Sequence, residues 1–388
     1  MNENISVVFY MMIMVSVGGF LLLGNYFKDK KKNKIAWLFY ILSFIPLFLM
    51  FALRYDVGTD YFHTYAPGFE TIANGGQRFE YGFFLINKMI SFFTNNAQWV
   101  FVVTGFIYSV FVVDAIRRYS KNPLLSLITL FLMCFVFIAM NNIRQQIACV
   151  IILWGYRFIV DKKFVLYLIT CLAAMFFFHD SAIFMLLAYF IINFKYFQNK
   201  IYILILSGIV LVPAFSIIVP LLLNALGYDY FFEYFSGTNG NVILLLQNFA
   251  FFVVLYIAFE SKLKTDKFRY GLFIFQFLAF LMSTLTFTLD LKELPERITM
   301  YFMIFQVISL PLAFYDLFEL DLRFRIPSIL IMALVVCHSF YFSIYVNGYH
   351  EVLPYQFIFG HYEELYINKE IMPLYLVINN YKGVFSCL

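Results

Sequence analysis

Charge is what this chain has least of. Only 13% of its 388 residues are Asp, Glu, Lys or Arg, against 63% hydrophobic ones, and the mean hydropathy is +0.82. A soluble domain carries about a quarter charged residues, so a soluble globular fold is excluded and a polytopic membrane protein follows. Cysteine is sparse and unpatterned. Cys134, Cys149, Cys171 and Cys337 lie in apolar runs and Cys387 stands near the end, without CxxC or metal spacing, which removes a disulfide framework and a zinc site. The net charge of +4 is modest and gives no reason to expect nucleic acid. No basic stretch precedes the first apolar run. The lysines follow it, as in a retained first span with its N-terminus outside rather than a cleaved signal. Repeats, low-complexity tracts and linkers are missing too, so 1–388 reads as a single polytopic membrane domain.

Aromatics, by contrast, are abundant, with 53 Phe and 29 Tyr. Sugar-stacking platforms are one reading. The plainer one is that Phe, Ile, Asn, Lys and Tyr share AT-rich codons and that lipid-facing helices tolerate Phe, which assigns most of these rings to packing and interfacial belts.

About 12 apolar segments follow one another, near 5–24, 35–53, 97–116, 123–141, 143–160, 164–179, 181–193, 200–223, 242–259, 269–288, 298–315 and 326–346. Basic clusters favour the cytoplasm and orient them. With Lys28–Lys34 in the first inner loop, 19 of the 27 Lys/Arg and 8 of the 23 Asp/Glu fall inside. The run 123–160 is too long for one span: at ~1.5 Å per residue it would reach about 55 Å against a ~30 Å hydrocarbon core. It should therefore break at the polar stretch NNIRQQ. By the same parity, 164–193 should be two short spans meeting at His179-Asp180, and 81–93 an interfacial or re-entrant segment within the outer loop 54–96. The tail 347–388 should lie outside.

That topology gathers four polar clusters on the outer face, where charge beside lipid usually marks a cavity with a function. The first is Arg54-Tyr55-Asp56-Val57-Gly58-Thr59-Asp60-Tyr61. A tight turn at Gly58 brings Asp56 and Asp60 toward one site, as a general base or a metal-binding pair. The alternative is that Arg54 snorkels and the aspartates cap the turn. The second is Asn141–Gln146, where Asn141, Arg144 and Gln145 share a helix face, Arg144 suits a phosphate, and Asn142 and Gln145 suit sugar hydroxyls. Its alternative is a polar turn between two helices. The third, His179-Asp180-Ser181, is either a proton-transfer pair or a helix cap. The fourth, Pro295-Glu296-Arg297, is an ordinary helix start, except that Arg297 opposes the helix dipole unless an anion answers both.

The segments RYDVGTDYFHTY (54–65), FEYGF (79–83), NNIRQQIA (141–148), FHDSAIF (178–184) and ERITMYF (296–302), in this order among many spans, resemble the EpsG family, itself similar to Wzy-type polymerases of exopolysaccharide, capsule and O-antigen. The resemblance covers roughly 50–302. It implies an all-α, GT-C-like glycosyltransferase working outside the bacterial cell membrane on polyprenyl-diphosphate-linked oligosaccharide. The family pattern falls on Arg54, Gly58, Asp60, Glu80, Arg144, Gln145, His179 and Arg297. On that reading Asp60 or Asp56, then His179, is the base. Arg54, Arg144 and Arg297 hold diphosphate, and Asn142, Gln145, Glu80 and Tyr61 complete the substrate set. No metal or other cofactor is required, and a chain-length regulator is left open as a second partner. A flippase of lipid-linked oligosaccharide, a membrane acyltransferase using His179-Asp180, and a GT-C enzyme adding a single sugar are the alternatives.

Overall fold

Apolar runs of this length leave the backbone no partner but itself in lipid, so they form helices. The computed structural model describes residues 1–203, 205–208, 210, 214, 221, 242–288, 293–346 and 348–367. Among them no strand forms, only two isolated bridges. Numbering the α-helices of seven or more residues, the chain starts with α1 (Glu3–Asp29), whose first turn is capped by the Asn2 side chain. A lysine turn then reverses it into α2 (Asn33–Ala52). Beyond the polar loop come α3 (Ala66–Ala73), α4 (Tyr81–Phe93) and α5 (Gln98–Tyr119), the last packed on α2.

The run from 123 breaks twice. α6 (Pro123–Leu132) and α7 (Phe135–Asn141) are bent by 54° at Cys134, whose φ of 61° no helix accommodates. The chain turns again at Asn142 into α8 (Ile143–Trp154), so NNIRQQ is an apex between helices, as expected. α9 (Phe164–Phe177) and α10 (Met185–Asn193) are joined by a short 3-10 turn, Asp180–Phe184, with His179 in the break. α11 (Val242–Phe259) and α12 (Lys267–Thr288) form a hairpin, α13 (Glu293–Met303) and α14 (Gln306–Leu317) are bent by 47° at their junction, and α15 (Leu322–Tyr341) closes the bundle.

Among the described residues six helices are long and apolar enough to cross a membrane, or eight if each bent pair is one span. The difference from about twelve has a plain source. The runs from 143, 164 and 181 give helices of 12, 14 and 9 residues, below the ~20 that crossing requires. Most of 200–223 lies outside the described residues. α4, with 13 residues, exposes Met89, Phe92 and Phe93 while burying Phe83, Asn87 and Ile90.

The two ends of the bundle differ. One holds the basic turns, tied by ion pairs. Asp114 meets Arg117 and Arg118, and the buried Asp316 accepts from Lys262 at 3.0 Å and from Arg269 Nη2 at 2.9 Å. The other holds all four polar clusters. Residues 348–367 fold back over that end. Backbone bonds run from Tyr55 to Gln356 and from Ile358 to Leu53, while Tyr355, fully buried, donates its hydroxyl to Met50.

Candidate functional site

The loop after α2 is built around Arg54. Its side chain is 1% exposed, donates to the carbonyls of Val57 (3.0 Å) and Met140, and lies 5.0 Å from the Phe101 ring centroid. Gly58 makes this approach feasible: its φ is +96°, and a Cβ there would sit 2.9 Å from the Met140 carbonyl. Tyr61 is equally enclosed, stacked on Phe101 at 4.0 Å and donating to Gln98 Oε1 at 2.5 Å. Arg54 and Tyr61 were expected to touch substrate. Neither presents surface to a ligand, because the loop uses both as its own internal fastening.

The same turn sends its two carboxylates to different neighbours. Asp56 is exposed, with a left-handed backbone. The Tyr65 hydroxyl, one turn of chain beyond Asp60, lies 3.5 Å from the Arg144 backbone N–H. The Asp60 carboxylate accepts from Thr64 at 2.9 Å, and its backbone N–H donates to Asn141 Oδ1 at 2.7 Å. Asn141 also accepts from Thr59 at 2.8 Å and meets His350 through its amide nitrogen, so it is the joint between loop, apex and tail. Asn141, not Asn142, holds this place. His350 escaped the sequence reading because nothing in a single sequence pairs position 350 with 141.

Arg144 opens α8, ion-paired with Glu80 and lying over Phe79 at 4.8 Å, with about a quarter of its side chain exposed. Its neighbour Gln145 donates to the Arg297 carbonyl at 2.6 Å, bringing the start of α13 against α8. The Arg297 side chain is exposed at that junction.

His179 lies within electrostatic reach of both Arg144 and Arg297. Ser181 approaches its Nδ1 with the hydroxyl at 2.7 Å and the backbone N–H at 3.4 Å. A backbone N–H can only donate, so Nδ1 is the acceptor and a neutral ring carries its proton on Nε2. The Ser181 hydroxyl also lies 3.3 Å from the buried Tyr301 hydroxyl, one turn after Arg297, and with its own proton directed at Nδ1 it accepts there. Asp180 is exposed.

The structure thus links the clusters in a chain: Asp60 to Asn141, Arg144 to Glu80, Gln145 to Arg297, and His179 through Ser181 to Tyr301. Cationic groups, a carboxylate and an imidazole share one end of the bundle. Among the described residues no three His, Cys, Asp or Glu side chains gather as a metal would need.

An all-helical, multi-pass membrane protein with a polar cluster at one end is the class these features define. Within it, the EpsG family model matches residues 37–357, most of the chain and including the first part of the folded-back tail, and the protein belongs to the EpsG family. That family places it among membrane proteins of exopolysaccharide metabolism. No curated protein and no solved structure matches the chain.

Proposed function

We propose that the chain polymerises bacterial cell-surface polysaccharide, moving a growing glycan from polyprenyl diphosphate onto the next lipid-linked repeat unit at the outer face of the cell membrane. The observation that supports this reading is that hydrogen bonds join Asp60 to Asn141, Gln145 beside Arg144 to Arg297, and Ser181 beside His179 to Tyr301, at the end of the bundle opposite the basic turns. Basic turns favour the cytoplasm, which supports an outer position for the cluster, where only lipid-linked donors are available.

The reaction displaces a diphosphate at an anomeric carbon through an oxocarbenium-like state. An acceptor hydroxyl attacks that carbon while the carbon–oxygen bond to the diphosphate breaks. The hydroxyl proton passes to Asp60, with Asp56 as the second candidate. Arg144 and Arg297 balance the charge growing on the departing diphosphate. With its proton on Nε2, His179 serves better as a hydrogen-bond donor to that oxygen than as the base. Arg54 holds the loop that presents Asp60.

A transporter of lipid-linked oligosaccharide would need polar groups through the depth of the bundle. Asn248, Gln276 and Gln306 do lie in the apolar body, but they bond one another at 3.0–3.2 Å and are at most 2% exposed. They act as a fastening between α11, α12 and α14 rather than a path. The test is the glycan length profile of cells carrying Arg144→Ala beside wild type and a deletion. A single repeat unit on surface lipid in both mutants is the expected result. Repeat units trapped on the inner leaflet would mean a flippase, and a normal ladder in the deletion would end the polymerase reading.

A further inference from the structure

An apolar cavity of about 420 Å³ opens on the side of the bundle between α4, α5, α8 and α9. Ile107 and Phe111 form one wall, Ile151 and Trp154 another, and Ile169 with Ala173 a third. Among the described residues, the polar side-chain groups in its lining are already engaged. Thr170 donates to the Leu166 carbonyl at 2.8 Å, and the Trp154 indole donates to Asp114 at 2.8 Å. Nothing in this wall offers a hydrogen bond to an occupant, so it suits hydrocarbon and not water or sugar.

Three elements of this cavity also carry the polar cluster. On α8, Arg144 and Ile151 stand seven positions apart and therefore share a helix face, Arg144 at the outer end and Ile151 below it. On α4, Ile86 lines the cavity, and Glu80, the residue just before the helix, pairs with Arg144. At the end of α9, Phe178 lines the cavity and the next residue is His179. Gly82 lets α4 close over this end, since a Cβ there would lie 2.5 Å from the Phe176 carbonyl oxygen. From Arg144 to Trp154 the helix descends about 15 Å, half of a hydrocarbon core. An anionic headgroup held at Arg144 thus has an apolar trough below it on the same helix.

We infer that this trough between α4, α5, α8 and α9 seats the first isoprene units of a polyprenyl diphosphate carrier whose diphosphate is held at Arg144. The inference rests on the polymerase reading for the identity of the head, and adds where the tail lies and why a long-chain carrier is selected. Ile169 lines the trough and is more than half exposed, so a larger side chain there can fill the trough with little disturbance of packing.

The test uses the full-length protein in phosphatidylglycerol-containing nanodiscs, with undecaprenyl diphosphate and the one-isoprene dimethylallyl diphosphate as probes. Wild type should bind the long-chain probe at least tenfold more tightly than the short one. Ile169→Trp and Ala173→Trp should each abolish that preference while leaving the short probe's affinity unchanged. Thermal midpoints equal to wild type establish that the variants are folded. Undiminished preference in folded Ile169→Trp would overturn the trough. So would an excess of phosphatidylglycerol displacing the long-chain probe as well as unlabelled polyprenyl diphosphate does, because the trough would then hold bulk lipid. Arg144→Ala separates the two claims. If it leaves both diphosphates bound, the head assignment fails, and with it the reading on which the trough rests. If it weakens both while the tryptophan variants change nothing, only the trough fails.

Discussion

Gln145 donates its side-chain amide to the main-chain carbonyl of Arg297 at 2.6 Å, across 152 positions of sequence. The bond is 4% exposed on the Gln145 side and fixes the helix start that carries one proposed cation against the helix that carries the other. Replacing Gln145 by Glu turns the donor into an acceptor facing a carbonyl, and leaves a buried carboxylate without that partner. A loss of about 1–3 kcal/mol is expected. Gln145→Glu should shorten the glycan ladder and lower the thermal midpoint, with Gln145→Ala milder in both. An unchanged ladder in Gln145→Glu would mean that the position of Arg297 does not matter to the reaction.

Arg144→Lys should rescue poorly. Lysine keeps the charge but lacks the planar fork that pairs with Glu80 and, on the proposed reading, with a diphosphate, and it stacks less well over Phe79. Chain length near that of Arg144→Ala is expected, and near-normal chain length would count against a bidentate contact.

Gly58→Ala tests the loop. With φ at +96° and the Met140 carbonyl 2.9 Å from the new methyl, strain of roughly 1–3 kcal/mol falls on the turn between Arg54 and Asp60. Polymer should shorten while the protein still inserts and accumulates in the membrane, read by immunoblot of membrane fractions. Wild-type ladders from this variant would show that the loop has no demanding geometry.

The folded-back tail should respond to pH. Burial pushes His350 down from 6.5 to about 4, and its Nδ1 faces the Asn141 amide, which a protonated ring cannot accept from. A group with a depressed folded pKa stabilises fully above its unfolded value and loses that contribution as pH falls through the folded one. The thermal midpoint should therefore decline as pH drops from about 6.5 toward 4. His350→Asn keeps the left-handed backbone, which asparagine tolerates at φ 67°, but removes the titration. Its midpoint should fall less across that window, and an identical slope would dismiss His350 as the source.

Much of this was legible in order and little of it in partnership. The break at NNIRQQ, the two short segments meeting at His179 and the shared end of the four clusters follow from lengths and charges alone. Span count is harder, since a bend at Cys134 or between Met303 and Gln306 depends on packing and has no proline or glycine to announce it. Arg54 illustrates the deeper difficulty. A charge at a membrane boundary signals importance, but whether it faces a ligand or two backbone carbonyls depends on Met140, far along the chain. The tail hid for the same reason: its aromatic residues look interfacial until Tyr355 is found against Met50.

The tail's position also sets an order of events in biogenesis. The loop bearing Asp60 leaves the ribosome early, yet Tyr55, Gly58 and Thr59 take their backbone partners from Gln356, Glu351 and His350. The Tyr355–Met50 contact spans 305 positions. Nascent chains can insert every preceding helix and still lack a finished loop, because its backbone partners are made only when synthesis has passed residues 350–356.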